Sequence, residues 1–209
     1  MLISKEEIKE YFKQHNIHIN GVFHIGAHEC EELHVYEYFG IPLKNILWID
    51  ALPDKVDEQR KRGISNVFQS VISDKDGEHI VFKVTNNGQS SSIFEFGTHK
   101  TSYPWCIVTR RILMTTTTID TFMKSNALDS SKYNFWNFDI QGAELKALMG
   151  GEESLKHVKA VYLEVNTEEV YQGCAKISEI DAFLESRGFK RVLTKIVNEG
   201  WGDALYVRN

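Results

Sequence analysis

Short apolar segments alternate with helical segments along most of this 209-residue chain. Strands that are separated by helices pair in parallel, because each helix carries the chain back across the sheet. A parallel sheet buries both of its faces, so helices should cover both sides. The chain therefore predicts an α/β fold built on a mostly parallel sheet. Its main strands are expected at 21–26, 45–50, 66–72, 133–138, 158–165, 189–195 and 204–207.

The end of the chain breaks this alternation. No helical segment separates the strands expected at 189–195 and 204–207, so these two strands must be antiparallel. In the middle of the chain, the pattern predicts a hairpin of 78–84 with 92–96, followed by an irregular segment at 97–115. Helices are expected from the Ser4 capping box to about residue 13, at 29–38, 54–62, 143–149 and 178–187, and from residue 118.

Composition restricts the kinds of partner. With 24 basic and 29 acidic residues and a net charge of −5, the chain gives no electrostatic case for nucleic acid or an anionic membrane. Its three cysteines are far apart and odd in number, which suits a reducing compartment. No run approaches the roughly 18 apolar residues of a membrane span, and charge appears too early for a signal peptide. We expect a cytoplasmic domain spanning 1–209, alone or as one module of a longer enzyme, with a small-molecule ligand.

The end of the first strand indicates the charge of that ligand. Gly26 and Ala27 allow the backbone to pass close to a bound molecule. A dinucleotide fingerprint needs three glycines, so that a pyrophosphate can lie on a helix N-terminus. This chain has one glycine there and places Glu29, Glu31 and Glu32 in the expected first helical turn. The pattern favours a cationic sulfonium cofactor over NAD or ATP.

An acidic residue follows the second strand. Asp50 stands 24 residues after Gly26, where a carboxylate accepts hydrogen bonds from the ribose hydroxyls of an adenosine group. The alternative is that Asp50 caps the next helix. The turn at 70–74 after the third strand is expected beside the adenine, or is an ordinary turn.

His24, His28 and Cys30 have side chains that can bind metals. Their spacing spans a strand end and a turn, and no second cluster completes a four-ligand site. The sequence therefore predicts no zinc site, and these side chains are expected to be satisfied locally.

The segments His24–His28 and Asp139–Glu144, taken with Asp50, resemble the FkbM family of S-adenosylmethionine-dependent methyltransferases. The resemblance implies the Rossmann-like class I methyltransferase fold, with a mostly parallel seven-stranded sheet and an antiparallel C-terminal strand. It implies S-adenosylmethionine as methyl donor and S-adenosylhomocysteine as product. The cofactor-binding residues that it implies are His24, Gly26, Ala27, His28, Asp50, Ala51, Ser70, Val71 and Asp139.

The chain departs from the family pattern at four positions. His24 stands in place of an acid, His28 in place of asparagine, Cys30 in place of glycine and Gln141 in place of glutamate. The segments 137–144, 162–166 and 200–204 also resemble a branch of the family found in large DNA viruses. Domains of that branch are associated with O-methylation of surface-glycan sugars, which implies a carbohydrate hydroxyl as acceptor.

Methyl transfer to a sugar hydroxyl needs a base within hydrogen-bond reach of the acceptor. Asp139 and Glu164 end neighbouring strands, so both carboxylates should face one crevice. His99 has an ordinary pKa suited to a base near neutrality. The alternatives are helix caps for the two acids and a solvated histidine. The sequence leaves open whether a divalent metal takes part, because Asp139, Glu144 and Glu164 supply the oxygen ligands that such a metal needs.

Aromatic and polar side chains supply further candidates. Trp105 and Trp201, set among polar and turn residues, could stack on a sugar ring, whereas Trp136 is expected in the core. The polar loop 87–92 would cover the site or form a simple turn.

Competing functions also remain. Methyltransferases acting on amino groups of nucleic acids commonly carry an Asn/Asp-Pro-Pro-aromatic tetrapeptide, which 139–142 lacks. A non-catalytic S-adenosylmethionine-binding module and a methyltransferase for another small molecule are the remaining alternatives. A nicotinamide enzyme conflicts with the missing glycines.

Overall fold

A computed structural model describes residues 1–209 of the chain. The first helix, α1, spans Lys5–Gln14 and begins as the sequence predicts. Ser4 Oγ accepts a hydrogen bond from the Glu7 backbone N–H at 3.2 Å, and Glu7 Oε2 accepts one from the Ser4 N–H at 3.3 Å. This reciprocal capping box satisfies two N–H groups that a helix start leaves free.

Seven strands form the central sheet, and the predicted fold class is confirmed. The seven strands are β1 (Val22–Ile25), β2 (Ile46–Asp50), β3 (Val67–Gln69), β7 (Phe135–Phe138), β8 (Ala160–Asn166), β9 (Phe189–Ile196) and β10 (Trp201–Arg208). Their order across the sheet is β3-β2-β1-β7-β8-β10-β9. Strand β10 is antiparallel to both of its neighbours, whereas the β3-β2-β1-β7-β8 pairs are all parallel.

Helices cover both faces of this sheet. Along β1, Phe23 and Ile25 belong to one core and Val22 to the other, because successive side chains point to opposite faces. None of the helices has the length and apolarity that crossing a membrane requires. Besides α1, the helices are α2 (Leu33–Tyr38), α3 (Pro53–Lys61), α4 (His99–Ser102), α5 (Ile119–Ser125), α6 (Glu144–Met149), α7 (Glu152–Leu155) and α8 (Ile177–Glu185), with 3-10 turns at Leu43–Asn45 and Ser130–Lys132.

A second, three-stranded sheet corrects three of the predictions. It consists of β4 (Val71–Ile72), β5 (His79–Thr85) and β6 (Val108–Thr117), in the order β4-β6-β5. The predicted strand 66–72 is therefore two strands, which lie in different sheets. Strand β5 pairs along its length with β6. Its contact with the segment 92–96 is limited to one bridge, between Lys83 and Ser92. The segment 97–115 was expected to be irregular, and that was wrong for its second half.

The start of α2 is also later than predicted. The helix begins at Leu33 and not near Glu29, and no acidic residue lies in its first turn. His28 and Cys30 have φ angles of 42° and 55°, so the chain turns sharply before it becomes helical. Glu31 and Glu32 therefore do not repel an anionic ligand from the first turn of a helix. Their effect on the charge of a ligand depends on where the loop places their carboxylates.

The order of the strands positions a crevice. Strand β1 is central, with β2 on one side and β7 on the other, so the connections from β1 and from β7 leave in opposite directions. In open α/β sheets, ligands bind at such a switch point, beyond the carboxyl ends of the strands.

Candidate active site

Two adjoining cavities open at the carboxyl ends of β1, β2, β7 and β8. We call the one beside β2 the first cavity and the one beside β8 the second cavity. Four residues border both: Gly26, His28, Gln89 and Asp139. The first cavity is lined by Ile25, Gly26, His28, Asp50, Ala51, Leu52, Ser70, Val71, Ile72, Phe82, Gly88, Gln89, Ser91, Ile93, Asp139, Ile140 and Ala143.

Gly26 joins β1 to the cavity floor in a conformation that suits glycine. Its φ is +91°, and a Cβ placed there would lie 1.8 Å from the backbone oxygen of Asp139. Its N–H donates to the Ile49 carbonyl at 2.9 Å. The close approach of the β1 and β7 ends thus depends on the missing side chain.

Asp50 presents a buried carboxylate to the first cavity. Oδ2 accepts the His28 N–H at 2.7 Å and Oδ1 accepts the Leu52 N–H at 2.8 Å. These bonds fix both oxygens at the wall of the cavity and leave lone pairs free for further donors. Burial raises the pKa of Asp50, and the two N–H donors counteract that rise.

The first cavity is narrow in this structure. Its free volume is about 60 Å³, room for only a few water molecules. The segment 88–93 lies along one wall, and Ser92 Oγ donates to the Gln141 carbonyl at 2.8 Å. The predicted role of the 87–92 loop as a cover fits this position.

The second cavity is larger, with about 500 Å³ of free volume. This volume is typical of small-molecule sites. Its wall combines acidic side chains with aromatic ones. It is lined by Met1, Leu2, Gly26, His28, Glu31, Glu32, Asn87, Gln89, Ser90, His99, Tyr103, Trp105, Asp139, Gln141, Glu164, Val170, Tyr171, Trp201 and Asp203.

Gln141 connects the two carboxylates that the sequence singled out. Its Nε2 donates to Asp139 Oδ1 and to Glu164 Oε2, each at 2.6 Å. Its Oε1 accepts the Tyr171 hydroxyl. Gln141 itself has a φ of +57°, a strained conformation for a residue with a side chain. One amide therefore holds both acids at the floor of the second cavity.

Protein enclosure makes these acids harder to ionise. Burial, followed by the neighbouring charge of Asp139, raises the pKa of Glu164 well above its ordinary value. Burial also raises the pKa of Asp139, although this side chain keeps exposed surface where it borders the cavities. Two carboxylates so close together share protons, because both cannot easily carry charge. We assign the charge to the more open Asp139 and the proton to Glu164.

Glu144 lies behind these acids and borders neither cavity. Its Oε1 accepts the Ile140 and Gly142 N–H groups at 2.9 and 3.3 Å. Burial is the main cause that raises its pKa to about 8. Glu144 thus supports the turn at 140–142 rather than contacting a ligand.

Glu144→Gln is expected to stabilise the fold more at pH 8 than at pH 5. Between the ordinary value of 4.5 and the folded value of about 8, only the unfolded chain releases this proton, so rising pH favours unfolding. A glutamine carbonyl can accept the same two N–H bonds and has no proton to lose. Thermal unfolding at both pH values measures the difference between variant and parent, and a pH-independent difference contradicts the prediction.

His99 borders the second cavity from α4. The ring is 6% exposed and stacks on Phe96, with 4.2 Å between ring centroids. Its Nδ1 is buried without a hydrogen-bond partner. Burial lowers the pKa of His99, so the ring is neutral near pH 7 and able to accept a proton.

Two of the candidate cofactor residues lie away from both cavities. His24 is buried, and its Nδ1 is 2.7 Å from the Tyr36 hydroxyl. Ala27 packs in the core beneath α2. Burial lowers the pKa of His24 to about 4, which suits a neutral structural ring. The structure brings the other seven candidates, Gly26, His28, Asp50, Ala51, Ser70, Val71 and Asp139, to the wall of the first cavity.

The aromatic candidates separate as the sequence suggested. Trp136 is fully buried, whereas Trp105 and Trp201 border the second cavity. Trp201 Nε1 donates to the Tyr103 hydroxyl at 2.9 Å, and Trp105 meets Tyr103 edge to face. No group of three or more His, Cys, Asp or Glu side chains is arranged to hold a metal ion.

Sequence reasoning missed three residues of the second cavity. Tyr171 and Tyr103 lie in segments without a recognisable motif. Asp203 faces Glu164 across the β8–β10 pair and accepts the Tyr162 hydroxyl. An acid within an otherwise apolar final strand was the signal that could have found it.

A curated protein is similar to this chain in sequence. The 2-O-methyltransferase NoeI of Sinorhizobium fredii is 28% identical over 126 residues. That match covers 57% of this chain and 51% of NoeI, so the chain spans about half the length of this curated relative. The viral branch suggested by the motifs finds no support in these comparisons.

Solved structures share the fold at low sequence identity. The O-methyltransferase from Bacillus cereus, in complex with SAH, has a TM-score of 0.52 and 10% identity, covering all of this chain and 82% of its own. Sp1610 from Streptococcus pneumoniae has a TM-score of 0.51 and 12% identity, covering 100% of this chain and 70% of its own.

The family itself follows from the sequence match. The model of the methyltransferase FkbM domain matches residues 24–191, which include the ends of β1, β2, β7 and β8 that form both cavities. The chain belongs to the FkbM family of methyltransferases.

Proposed function

We propose that this chain is an O-methyltransferase that transfers the methyl group of S-adenosylmethionine to a hydroxyl of a carbohydrate. The observation that carries the proposal is the position of Asp139, which borders both cavities. A group placed there can act on an acceptor in one cavity beside a methyl donor in the other.

The residues of the first cavity fit the adenosine part of the cofactor. Asp50 offers carboxylate lone pairs to the ribose hydroxyls, as its position at the end of β2 predicts. Val71, Phe82 and Ile93 provide apolar walls for an adenine ring. Because the free volume is small, the segment 88–93 has to move outward as the nucleoside enters.

The cationic end of the cofactor suits the junction of the cavities. When bound, S-adenosylmethionine supplies a methyl group on a positively charged sulfur. Asp139 and the acids of the second cavity provide the negative charge that such a cation needs.

Asp139 is also the best-placed base. Its carboxylate faces the second cavity, and Gln141 fixes one oxygen from behind at 2.6 Å. Lone pairs that the Gln141 N–H does not use remain on the carboxylate, and they can take the hydroxyl proton as the acceptor oxygen attacks. Glu164 keeps its proton, and its side chain hydrogen-bonds to Asp139, which leaves Asp139 as the ionised group. The neutral ring of His99 is the alternative base on the opposite wall.

Two features support a sugar as acceptor. Carboxylates accept hydrogen bonds from several hydroxyls at once, and aromatic faces such as Trp105 and Trp201 pack against the C–H faces of sugar rings. The relative NoeI is named a 2-O-methyltransferase, which supports oxygen as the acceptor atom.

Asp50→Asn is expected to weaken S-adenosylmethionine binding by roughly 10- to 100-fold, the cost of losing charged hydrogen bonds to hydroxyls. Asp54→Asn, at an exposed acid in the first turn of α3, is the matched control. Isothermal titration measures both dissociation constants, and unchanged affinity in Asp50→Asn contradicts the ribose assignment.

The first test is titration of the purified protein with S-adenosylmethionine, S-adenosylhomocysteine and NAD. We expect the first two to bind and NAD to be silent. Incubation with isotope-labelled S-adenosylmethionine and a panel of sugars then tests for a methylated product. Cofactor binding without transfer to any hydroxyl favours the non-catalytic module.

A further inference from the structure

The second cavity carries an unusual balance of charge. Five carboxyl side chains border it, and no lysine or arginine side chain does. The Met1 ammonium lies at its edge, 4.0 Å from Glu32 Oε1, and the rings of His28 and His99 are its other basic groups. The five acids are Glu31, Glu32, Asp139, Glu164 and Asp203.

No lysine or arginine forms an ion pair with these acids. Their basic side-chain neighbours are histidines: His28 Nδ1 lies 2.7 Å from Glu31 Oε1, and His24 Nε2 lies 4.0 Å from Glu32 Oε2. Glu164 and Asp203 are each 6% exposed, and their hydrogen-bond donors are an amide, a hydroxyl and a backbone N–H. Burial raises the pKa of Glu32, Glu164 and Asp203, and neighbouring carboxylates add to the rise. Glu31 differs, because burial is outweighed there by hydrogen bonds, chiefly with His28, which lower its pKa to about 2. A phosphate placed among them would add about 1.5 to 2 further negative charges.

Uncharged polar groups fit the same walls. Tyr103, Trp105 and Trp201 offer aromatic faces, and Trp105 is 60% exposed at the mouth. His99, which borders the cavity, has a buried Nδ1 without a partner in the protein. The cavity thus holds hydrogen-bonding capacity and, apart from the Met1 ammonium at its edge, none of the lysine or arginine groups with which proteins commonly bind phosphates.

We infer that the second cavity selects a phosphate-free sugar, either neutral or amine-bearing, and rejects sugar phosphates and nucleotide sugars. This inference rests on the proposed function and narrows its substrate class. Methylation then acts on a sugar that a glycosyl transfer has already released from its nucleotide, or on a sugar that was never activated.

The test is binding of matched sugars to the protein saturated with S-adenosylhomocysteine. The probes are methyl fucoside, the corresponding amino sugar and fucose 1-phosphate, measured by isothermal titration at low and high salt. We expect the first two to bind at least about tenfold more tightly than the phosphate, with a ratio that shrinks at high salt because ions screen the repulsion.

A charge variant tests the cause. Glu32→Gln is expected to lower the selectivity ratio by about threefold or more, since it removes one charge from the wall. Glu37→Gln, at an exposed position of α2 outside the cavity, should leave the ratio unchanged.

The outcomes separate the two claims. Equal or tighter binding of fucose 1-phosphate overturns the inference and leaves sugar methylation possible. Binding of the neutral sugars with no methyl transfer supports the inference and overturns the proposed activity. Binding of none of the probes overturns both.

Discussion

Asp139→Asn is expected to lower kcat by roughly 10²- to 10⁴-fold, the usual contribution of a positioned acid or base. Asparagine keeps the size of the side chain but cannot take up the acceptor's proton. The substitution should not lower the free energy of unfolding. The substitution removes the charge beside Glu164, whose pKa that charge helps to raise. We therefore expect an unchanged or higher melting temperature together with nearly complete loss of methyl transfer.

The control for Asp139 is Asp57→Asn, which changes an exposed acid on α3. It should keep both activity and melting temperature. Loss of activity combined with a lower melting temperature in Asp139→Asn would indicate a structural role. Near-normal kcat would remove Asp139 from the mechanism and direct attention to His99.

Gly26→Ala is expected to destabilise the protein by about 4 kcal/mol or more, which is exceptional for one methyl group. The added Cβ would lie 1.8 Å from the Asp139 oxygen, a backbone atom that cannot move without parting β1 from β7. For a chain of this size, that loss lowers the melting temperature by roughly 10 °C. Cofactor affinity should fall with it, because both cavities share this wall.

Gly63 provides a closely matched control. Its φ is +92°, almost the value of Gly26, but a Cβ there meets no atom within 4 Å. Gly63→Ala therefore reports the conformational strain alone, which costs about 1–2 kcal/mol. Differential scanning fluorimetry compares the two variants. Equal losses would show that conformation, and not the contact with Asp139, explains the requirement for glycine at position 26.

The sequence predicted most of the sheet because its strands are short apolar runs bounded by turn residues. It failed where tertiary context decides. Strand β6 contains Ile112, Leu113 and Met114 in succession, so it lacks the alternation that indicates a half-buried strand. The residue type of Ser70 does not predict that the chain leaves the central sheet there and enters the second sheet. Because His28 and Cys30 have positive φ angles, α2 begins later than predicted. Histidine and cysteine are not residue types that predict such a turn.

Site residues were predictable where the topology fixes them. Asp50 ends β2, Asp139 follows β7 and Glu164 lies near the end of β8. The carboxyl ends of these parallel strands meet at one edge of the sheet. Side chains between strand ends are harder to place. His24 precedes Gly26 by two residues, yet its ring lies in the core beside Tyr36. The bridging role of Gln141 depends on a left-handed backbone that the sequence does not reveal.

Four residues, Gly26, His28, Gln89 and Asp139, form a wall common to the two cavities. The occupants of the two cavities are therefore thermodynamically linked through that wall. If the bound cofactor changes the affinity for the acceptor by some factor, the bound acceptor changes the affinity for the cofactor by the same factor, because one coupling free energy describes both effects. The same reciprocity applies to product release. Methyl transfer converts the positively charged sulfur of S-adenosylmethionine into the neutral thioether of S-adenosylhomocysteine, and this changes the charge beside the methylated acceptor.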